Sequence, residues 1–189
     1  MIACAVLAAG ASTRLGSPKQ LVQWRGKTLL AHALDAARAV GPVAVVVGAI
    51  ELPADVTVLR NEAWAEGMAS SVRVATAWAR SIDAAALVLH LVDQPHIDGA
   101  HLARLAVAHR AGAPLVGTRY ADVIGAPALF SSAFYDALEA LKGDRGAAAI
   151  LRGDAATHAI EGPAGALDID TPEDVAHLLA ASSPNAMRR

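Results

Sequence analysis

Small residues and two cations crowd the turn Leu7-Ala8-Ala9-Gly10-Ala11-Ser12-Thr13-Arg14-Leu15-Gly16-Ser17-Pro18-Lys19, which overlaps the end of the apolar run Ile2 to Ala8. Such a turn suits a phosphate: small side chains let backbone N–H groups come close, and Arg14 and Lys19 supply the opposite charge. Counting excludes two familiar glycine loops. Gly10 and Gly16 are separated by five residues with no glycine between them, which rules out the dinucleotide fingerprint Gly-x-Gly-x-x-Gly. Gly16 is followed by Ser17-Pro18-Lys19 rather than directly by Lys-Ser/Thr, which rules out the Walker A loop. A carboxylate stands at a second turn, where Asp93 ends the run Ala86 to Val92 and precedes Gln94-Pro95. Mg²⁺ is typically held by one or two carboxylates plus substrate phosphates, so Asp93 fits a magnesium ligand; capping of the next helix is its competing role. Asp168 and Asp170 offer further carboxylates, and an extended backbone there would point both to one face.

These groups need elements to hold them. Ile2 to Ala8 and Val43 to Val47 are unbroken apolar runs, the pattern of central parallel strands. Between them Leu29, Leu30, Ala33, Leu34 and Ala37 recur at helical spacing, stopped by Gly41-Pro42. Further strands are expected at Val56 to Leu59, Ala86 to Val92, Leu115 to Gly117 and, in antiparallel sense, Pro127 to Phe130. Helices are expected at Ser71 to Arg80, Asp98 to Ala111 and on either side of Gly143-Asp144-Arg145-Gly146. A last strand, Ala166 to Ile169, leads to Thr171-Pro172-Glu173-Asp174, where Thr171 makes an N-cap, Pro172 suits the first helical position and Asp174 lies three residues after the cap. Buried strands alternating with amphipathic helices define an α/β fold with a mostly parallel sheet covered on both faces.

The whole chain sets bounds on partners. Its 189 residues suit one domain, expected over residues 1–181, with a disordered tail over 182–189. The longest mostly apolar stretch, Ala84 to Leu91, is far short of the ~20 residues that cross a bilayer. No signal peptide is visible, and a cytoplasmic protein with no membrane partner is expected. Cys4 is the single cysteine, so neither a disulfide framework nor a cysteine-rich zinc site is expected. A net charge of −2 gives no reason to expect nucleic acid. Four cations (Arg14, Lys19, Arg25, Lys27) and no acid lie between Gly10 and Lys27; for Arg25 and Lys27 a solvated basic loop is an equal alternative. The seven histidines lack metal-ligand spacing, and His90 reads as a satisfied core histidine. Trp64 and Trp78 read as packing residues.

The loop pattern Leu-Ala-Ala-Gly-x-Ser-x-Arg-x-Gly-x-Pro-Lys resembles the signature of the nucleoside-triphosphate transferases related to the molybdenum cofactor nucleotidyltransferases, closest to their cytidylyltransferase branch. Asn61-Glu62-Ala63-Trp64, Gly67-Met68-Ala69-Ser70-Ser71, Leu91-Val92-Asp93-Gln94-Pro95, Gly143-Asp144-Arg145-Gly146 and Asp168-Ile169-Asp170-Thr171-Pro172-Glu173-Asp174 follow in the family's order across nearly the whole chain.

The resemblance implies a three-layer α/β/α sandwich of the nucleotide-diphospho-sugar transferase type. It implies a Mg²⁺-dependent reaction in which an acceptor phosphate attacks the α-phosphorus of CTP, or another triphosphate, and releases pyrophosphate. Alignment and charge neutralisation carry such a reaction, and no protein nucleophile is needed. Lys19, Arg14 and Asp93 are the implied catalytic residues, with Leu7, Ala8, Ala9 and Gly10 cradling the nucleotide. Gly67, Ser70 and Ser71 open a helix whose N–H groups and hydroxyls suit a base edge, and the resemblance makes that base a pyrimidine. It also places the second metal ligand in the 168–170 segment, Asp170 ahead of Asp168. Ala9 stands where guanylyl-transferring relatives resemble Leu-Ala-Gly-Gly, which favours CTP. Molybdopterin is the implied acceptor and a molybdoenzyme a possible partner, with Gly125 and Arg145 as candidate acceptor contacts. Ala126 and Ala148 depart from the family, whose members often carry His or Asn and Arg there. A sugar- or alditol-phosphate nucleotidyltransferase and a non-catalytic nucleotide-binding accessory protein for molybdoenzyme maturation are the alternatives.

Overall fold

Runs such as Ile2–Leu7 and Val43–Val47 carry no polar side chain, so strands built from them need cover on both faces. The computed structural model, which describes residues 1–163 and 168–180, supplies that cover. β1 (Ile2–Leu7) is followed by a small hairpin of β2 (Gln23–Trp24) and β3 (Lys27–Thr28), then α1 (Leu29–Ala37), β4 (Val43–Val47) and β5 (Thr57–Arg60). Next come α2 (Met68–Ser81), β6 (Ala86–Leu91), α3 (Gly99–Arg110), β7 (Leu115–Tyr120) and β8 (Val123–Ser131). The chain continues through α4 (Tyr135–Glu139), α5 (Ala148–Gly153), β9 (Thr157–Glu161) and α6 (Pro172–Ala180).

Among the described residues the main sheet has seven strands in the order β5-β4-β1-β6-β8-β7-β9, and only β8 of these runs against the rest. Strand alternation divides the core in two. Cys4 and Val6 of β1 face α1 and α3, meeting Leu30, Leu34, Leu102 and Leu105. Ala3, Ala5 and Leu7 face α2, α4 and α5, meeting Val72, Ala75, Leu138 and Leu151. A third, small cluster joins Trp24 of the hairpin to Ile169 and Leu178, and so seats α6 beside the end of β1's loop. After β1 the chain builds outward to β4 and β5, then returns to lay β6 on β1's other side. Leu7 and Leu91 are level in that pairing. The turns that follow them therefore leave a topological switch point together, where open α/β sheets hold ligands.

Several elements differ from expectation. α2 begins at Met68 rather than Ser71, because Gly67 and not a serine occupies its N-cap. Strand β9 lies at the sheet edge with Ile160 as its only buried residue, so it carries no apolar run to read. The expected strand Ala166 to Ile169 begins outside the described residues, and Asp168 to Asp170 are irregular; the expected tail also lies outside them.

His90 is a core residue, as expected, but not a satisfied one: it is fully buried and neither ring nitrogen has a hydrogen-bond partner among the described residues. Burial, with a smaller push from His101, holds its pKa at about 3. Unfolding restores an ordinary value near 6.5, so between those two pH values the unfolded chain binds a proton that the fold refuses. Stability is therefore lost as pH falls below about 6.5. Going from pH 7 to pH 5 should cost wild type about 2 kcal/mol more than His90→Leu. Urea melts of both proteins at the two pH values measure this, and parallel pH dependences would contradict it.

Candidate active site

The glycine loop is held from beneath by Gln20, buried to 1% exposure. Its amide donates to the carbonyls of Ala8 (2.8 Å) and Gly10 (2.9 Å), and the Lys19 N–H donates to Ser12 Oγ (3.1 Å). These bonds curl the loop back so that Lys19 returns to the strand end it left. Leu7, Ala8, Ala9, Gly10, Lys19 and Asp93 line one cavity of about 200 Å³. A Cβ on Gly10 would meet nothing within 4 Å, so the loop backbone lies open to a ligand there.

Lys19 Nζ sits 2.8 Å from Asp93 Oδ2 and 2.6 Å from Asp170 Oδ1, so two carboxylates distant in sequence converge on one point. The second oxygen of Asp93 is buried and has no partner among the described residues. Burial pulls the Lys19 ammonium down, but Asp93 and Asp170 together outweigh it and leave its pKa raised. The hydrogen bond from Lys19 draws the Asp170 carboxyl below its ordinary range. Arg14, mostly exposed, adds a bond to Asp170 Oδ2 at 2.9 Å. The start of α6 aims this segment: Asp174 Oδ2 accepts from the N–H groups of Asp170 (3.0 Å) and Thr171 (2.8 Å), and Asp174 N donates to Thr171 Oγ1 (3.2 Å). That is the expected capping box. Asp168 lies beside the Lys19 cluster, near enough to feel the charges of Asp93, Asp170 and Lys19. Burial, then the nearby Asp93 charge, raises its pKa, while Gln94 Nε2 holds it at 3.2 Å. Capping of α3 falls to Asp98, whose side chain accepts from His101 N at 2.8 Å, which leaves Asp93 free of that duty.

The opposite wall is the start of α2. Buried Asn61 donates to Ser70 Oγ (2.8 Å) and Ser71 Oγ (3.0 Å), and Ser70 in turn donates to the Gly67 carbonyl (2.8 Å). Gly67 and Ser71 line the cavity; Ser70 lies behind it with its hydroxyl already engaged. Trp64 is 38% exposed and lines the cavity too, rather than only packing as expected. It can do so because Gly48 has no side chain: a Cβ there would fall 2.6 Å from Trp64 Cβ.

The two residues expected at an acceptor are outside the lining of the glycine-loop cavity. Gly125 is in β8, paired with Thr118, and Arg145 is exposed; neither lines this cavity. Of the two alternative basic residues, Lys27 pairs with Asp35 at 2.6 Å, and Arg25 lies over the Trp24 ring at 4.5 Å. Sequence reasoning gave no role to Gln20, Asn61 or Gln94. Gln20 directly follows the loop motif, and Asn61 and Gln94 lie within quoted motifs next to the charged Glu62 and Asp93.

A parallel-sheet switch point with a cationic glycine loop facing paired carboxylates defines a nucleotide-handling α/β protein. Residues 4–160 match the MobA-like NTP transferase domain, and the chain belongs to that family; nucleotidyl transfer is its class of chemistry. Rv0371c from Mycobacterium tuberculosis H37Rv is 35% identical in sequence, with a TM-score of 0.77 over 95% of this chain and 97% of that one. A structure of Rv0371c in complex with manganese is similar at 33% identity and a TM-score of 0.73, covering 95% and 98% of the two chains. Nicotine blue oxidoreductase of Paenarthrobacter nicotinovorans is 36% identical over 117 residues, which span 57% of this chain and only 56% of that protein. Molybdopterin-guanine dinucleotide biosynthesis protein A from Archaeoglobus fulgidus shares the fold, with a TM-score of 0.68 at 18% identity over 95% and 97% of the two chains.

Proposed function

We propose that the chain transfers the cytidylyl group of CTP to the phosphate of an acceptor, with a divalent metal, magnesium or manganese, bound between Asp93 and Asp170. The convergence of Lys19, Asp93 and Asp170 at the mouth of the glycine-loop cavity carries this reading. The donor set fits such a metal: it is all oxygen, it supplies two carboxylates, and one Asp93 oxygen is buried without a partner among the described residues. Two carboxylates suffice where substrate phosphates complete the shell. When bound, the metal neutralises charge on the phosphate oxygens. The chain's own part is alignment. The Gly10 loop receives the triphosphate, Lys19 leaves the carboxylates for the phosphate oxygens, and Ser71 and the Ala9 methyl flank the base. An acceptor oxygen attacks the α-phosphorus, and the bond to the β-phosphate oxygen breaks, so pyrophosphate leaves with the electron pair. The acceptor taken from the family resemblance is molybdopterin, with a molybdoenzyme as recipient of the product. Among the described residues no helix is long and apolar enough to cross a membrane.

Base choice tests the reading. Discrimination by pocket shape is worth about 1–3 kcal/mol, so CTP should bind tens-fold more tightly than GTP. Calorimetry with Mg²⁺ present measures this, and equal affinities would refute the assignment of Ala9 and Ser71. Pyrophosphate release on adding acceptor separates an enzyme from a binding module.

A further inference from the structure

A second cavity, of about 160 Å³, lies between α2, α5 and the sheet. Three of its wall residues, Leu7, Met68 and Leu91, also line the triphosphate cavity, so an occupant of one touches the walls of the other. Among the described residues, no side chain lining it carries a charge, hydroxyl or amide. Phe130, Leu89 and Val72 form its floor and are buried. The space exists because Ala126, Ala128, Gly146, Ala147 and Ala148 are small, and the last three border it with partly exposed residues. The backbone of its polar corner is spoken for: the Ala126 carbonyl accepts from Tyr120 Oη (3.0 Å) and Gln94 Nε2 (3.2 Å). An apolar space of roughly this size can hold a single benzene-sized group.

We propose that this cavity is the acceptor subsite and takes an uncharged apolar group, one ring or a short branched chain, attached next to the acceptor's phosphate. The inference rests on the nucleotidyl-transfer reading, which brings the acceptor phosphate to the Asp93 end of the shared wall. Hydroxyls placed in the cavity would lose water and find no side-chain partner, so polyol phosphates, including sugar and alditol phosphates, are disfavoured. A pterin, polar around its edge, is disfavoured on the same ground, so the cavity points to an acceptor other than the molybdopterin of the family resemblance while keeping the nucleotidyl-transfer reading.

Benzyl phosphate and glycerol 3-phosphate are suitable probes, titrated by calorimetry into the full chain with Mg²⁺ and a non-hydrolysable CTP analogue. Benzyl phosphate should bind at least tenfold more tightly, and Ala148→Leu and Ala147→Leu, each checked for an intact melt, should abolish that advantage by filling the rim. Equal binding of the two probes to wild type, or an advantage undiminished in a folded variant, overturns the proposal. The CTP analogue reports separately: if it fails to bind, the nucleotidyl-transfer reading falls, while the same pair of probes without it still decides whether the cavity prefers the apolar group.

Discussion

Asp93→Asn is expected to remain folded while nucleotidyl transfer slows by roughly 10²–10³-fold, the cost of losing one preorganised charge contact at a reacting centre. Asp93 is only 18% exposed, it holds Lys19 at 2.8 Å, and its other oxygen is without a partner among the described residues. A structural carboxylate would have both oxygens engaged; this one keeps a lone pair in reserve. Lys19→Met should slow turnover to a similar degree, yet it differs in a second readout. Lys19 Nζ occupies the point between Asp93 and Asp170 where a divalent cation would bind. Its removal should therefore tighten Mn²⁺ binding to the free protein, whereas Asp93→Asn should weaken it. Steady-state rates and Mn²⁺ titration followed by electron paramagnetic resonance give both quantities. Near-normal rates in folded variants would remove Asp93 and Lys19 from the mechanism.

Gly67→Ala should be nearly as damaging, through the backbone. Gly67 adopts φ 119° and ψ −171°, a region open to essentially glycine alone. A Cβ there would overlap Asp144 Oδ1 and sit 2.8 Å from the Gly143 carbonyl. That contact closes the 143–146 segment onto α2, where Ala69 N donates to Gly143 O at 3.0 Å. Strain and displacement together should cost about 3 kcal/mol of stability. CTP affinity should fall more than tenfold as the Gly67–Ser71 wall shifts. Gly112→Ala is the control: its φ is also positive at 109°, but a Cβ there meets nothing within 4 Å. Thermal melts and calorimetry on the pair decide it. If Gly112→Ala loses as much CTP affinity as Gly67→Ala, the close approach to Gly143 is not what shapes the cavity.

The parts of this molecule legible in its sequence are those with a strong local signal. Ile2–Leu7 and Ala86–Leu91 read as buried strands because nearly every side chain is apolar. The turn after β1 stands out because small residues and cations crowd it, and it does line a cavity at the strand ends; Thr171-Pro172-Glu173-Asp174 reads as a helix start from capping chemistry alone. What escaped was what only tertiary packing decides. Gln20 is an ordinary polar residue until the loop folds back and gives its amide two carbonyls to hold. Asn61 acquires meaning only when α2 brings Ser70 and Ser71 beside it. Strand β9 pairs at an edge, where a single buried Ile160 leaves no alternation to follow. An extended backbone would put Asp168 and Asp170 on one face, but the chain is irregular there. The irregular backbone instead sends them to different partners, Gln94 and Lys19. Ala126 and Ala148, visible in the sequence as departures from the family, both turn out to line the apolar cavity.

The central claim is that Asp93 and Asp170 together hold the metal on which the triphosphate is aligned, with Lys19 transferred to phosphate. Crystals grown with CTP and Mn²⁺, measured at the manganese absorption edge, test it most directly. An anomalous peak is expected about 2 Å from one oxygen of each carboxylate, with the triphosphate over Gly10 and Lys19 Nζ moved from the carboxylates to a phosphate oxygen. A manganese peak elsewhere, or a triphosphate bound with Lys19 still bridging Asp93 and Asp170, would contradict it.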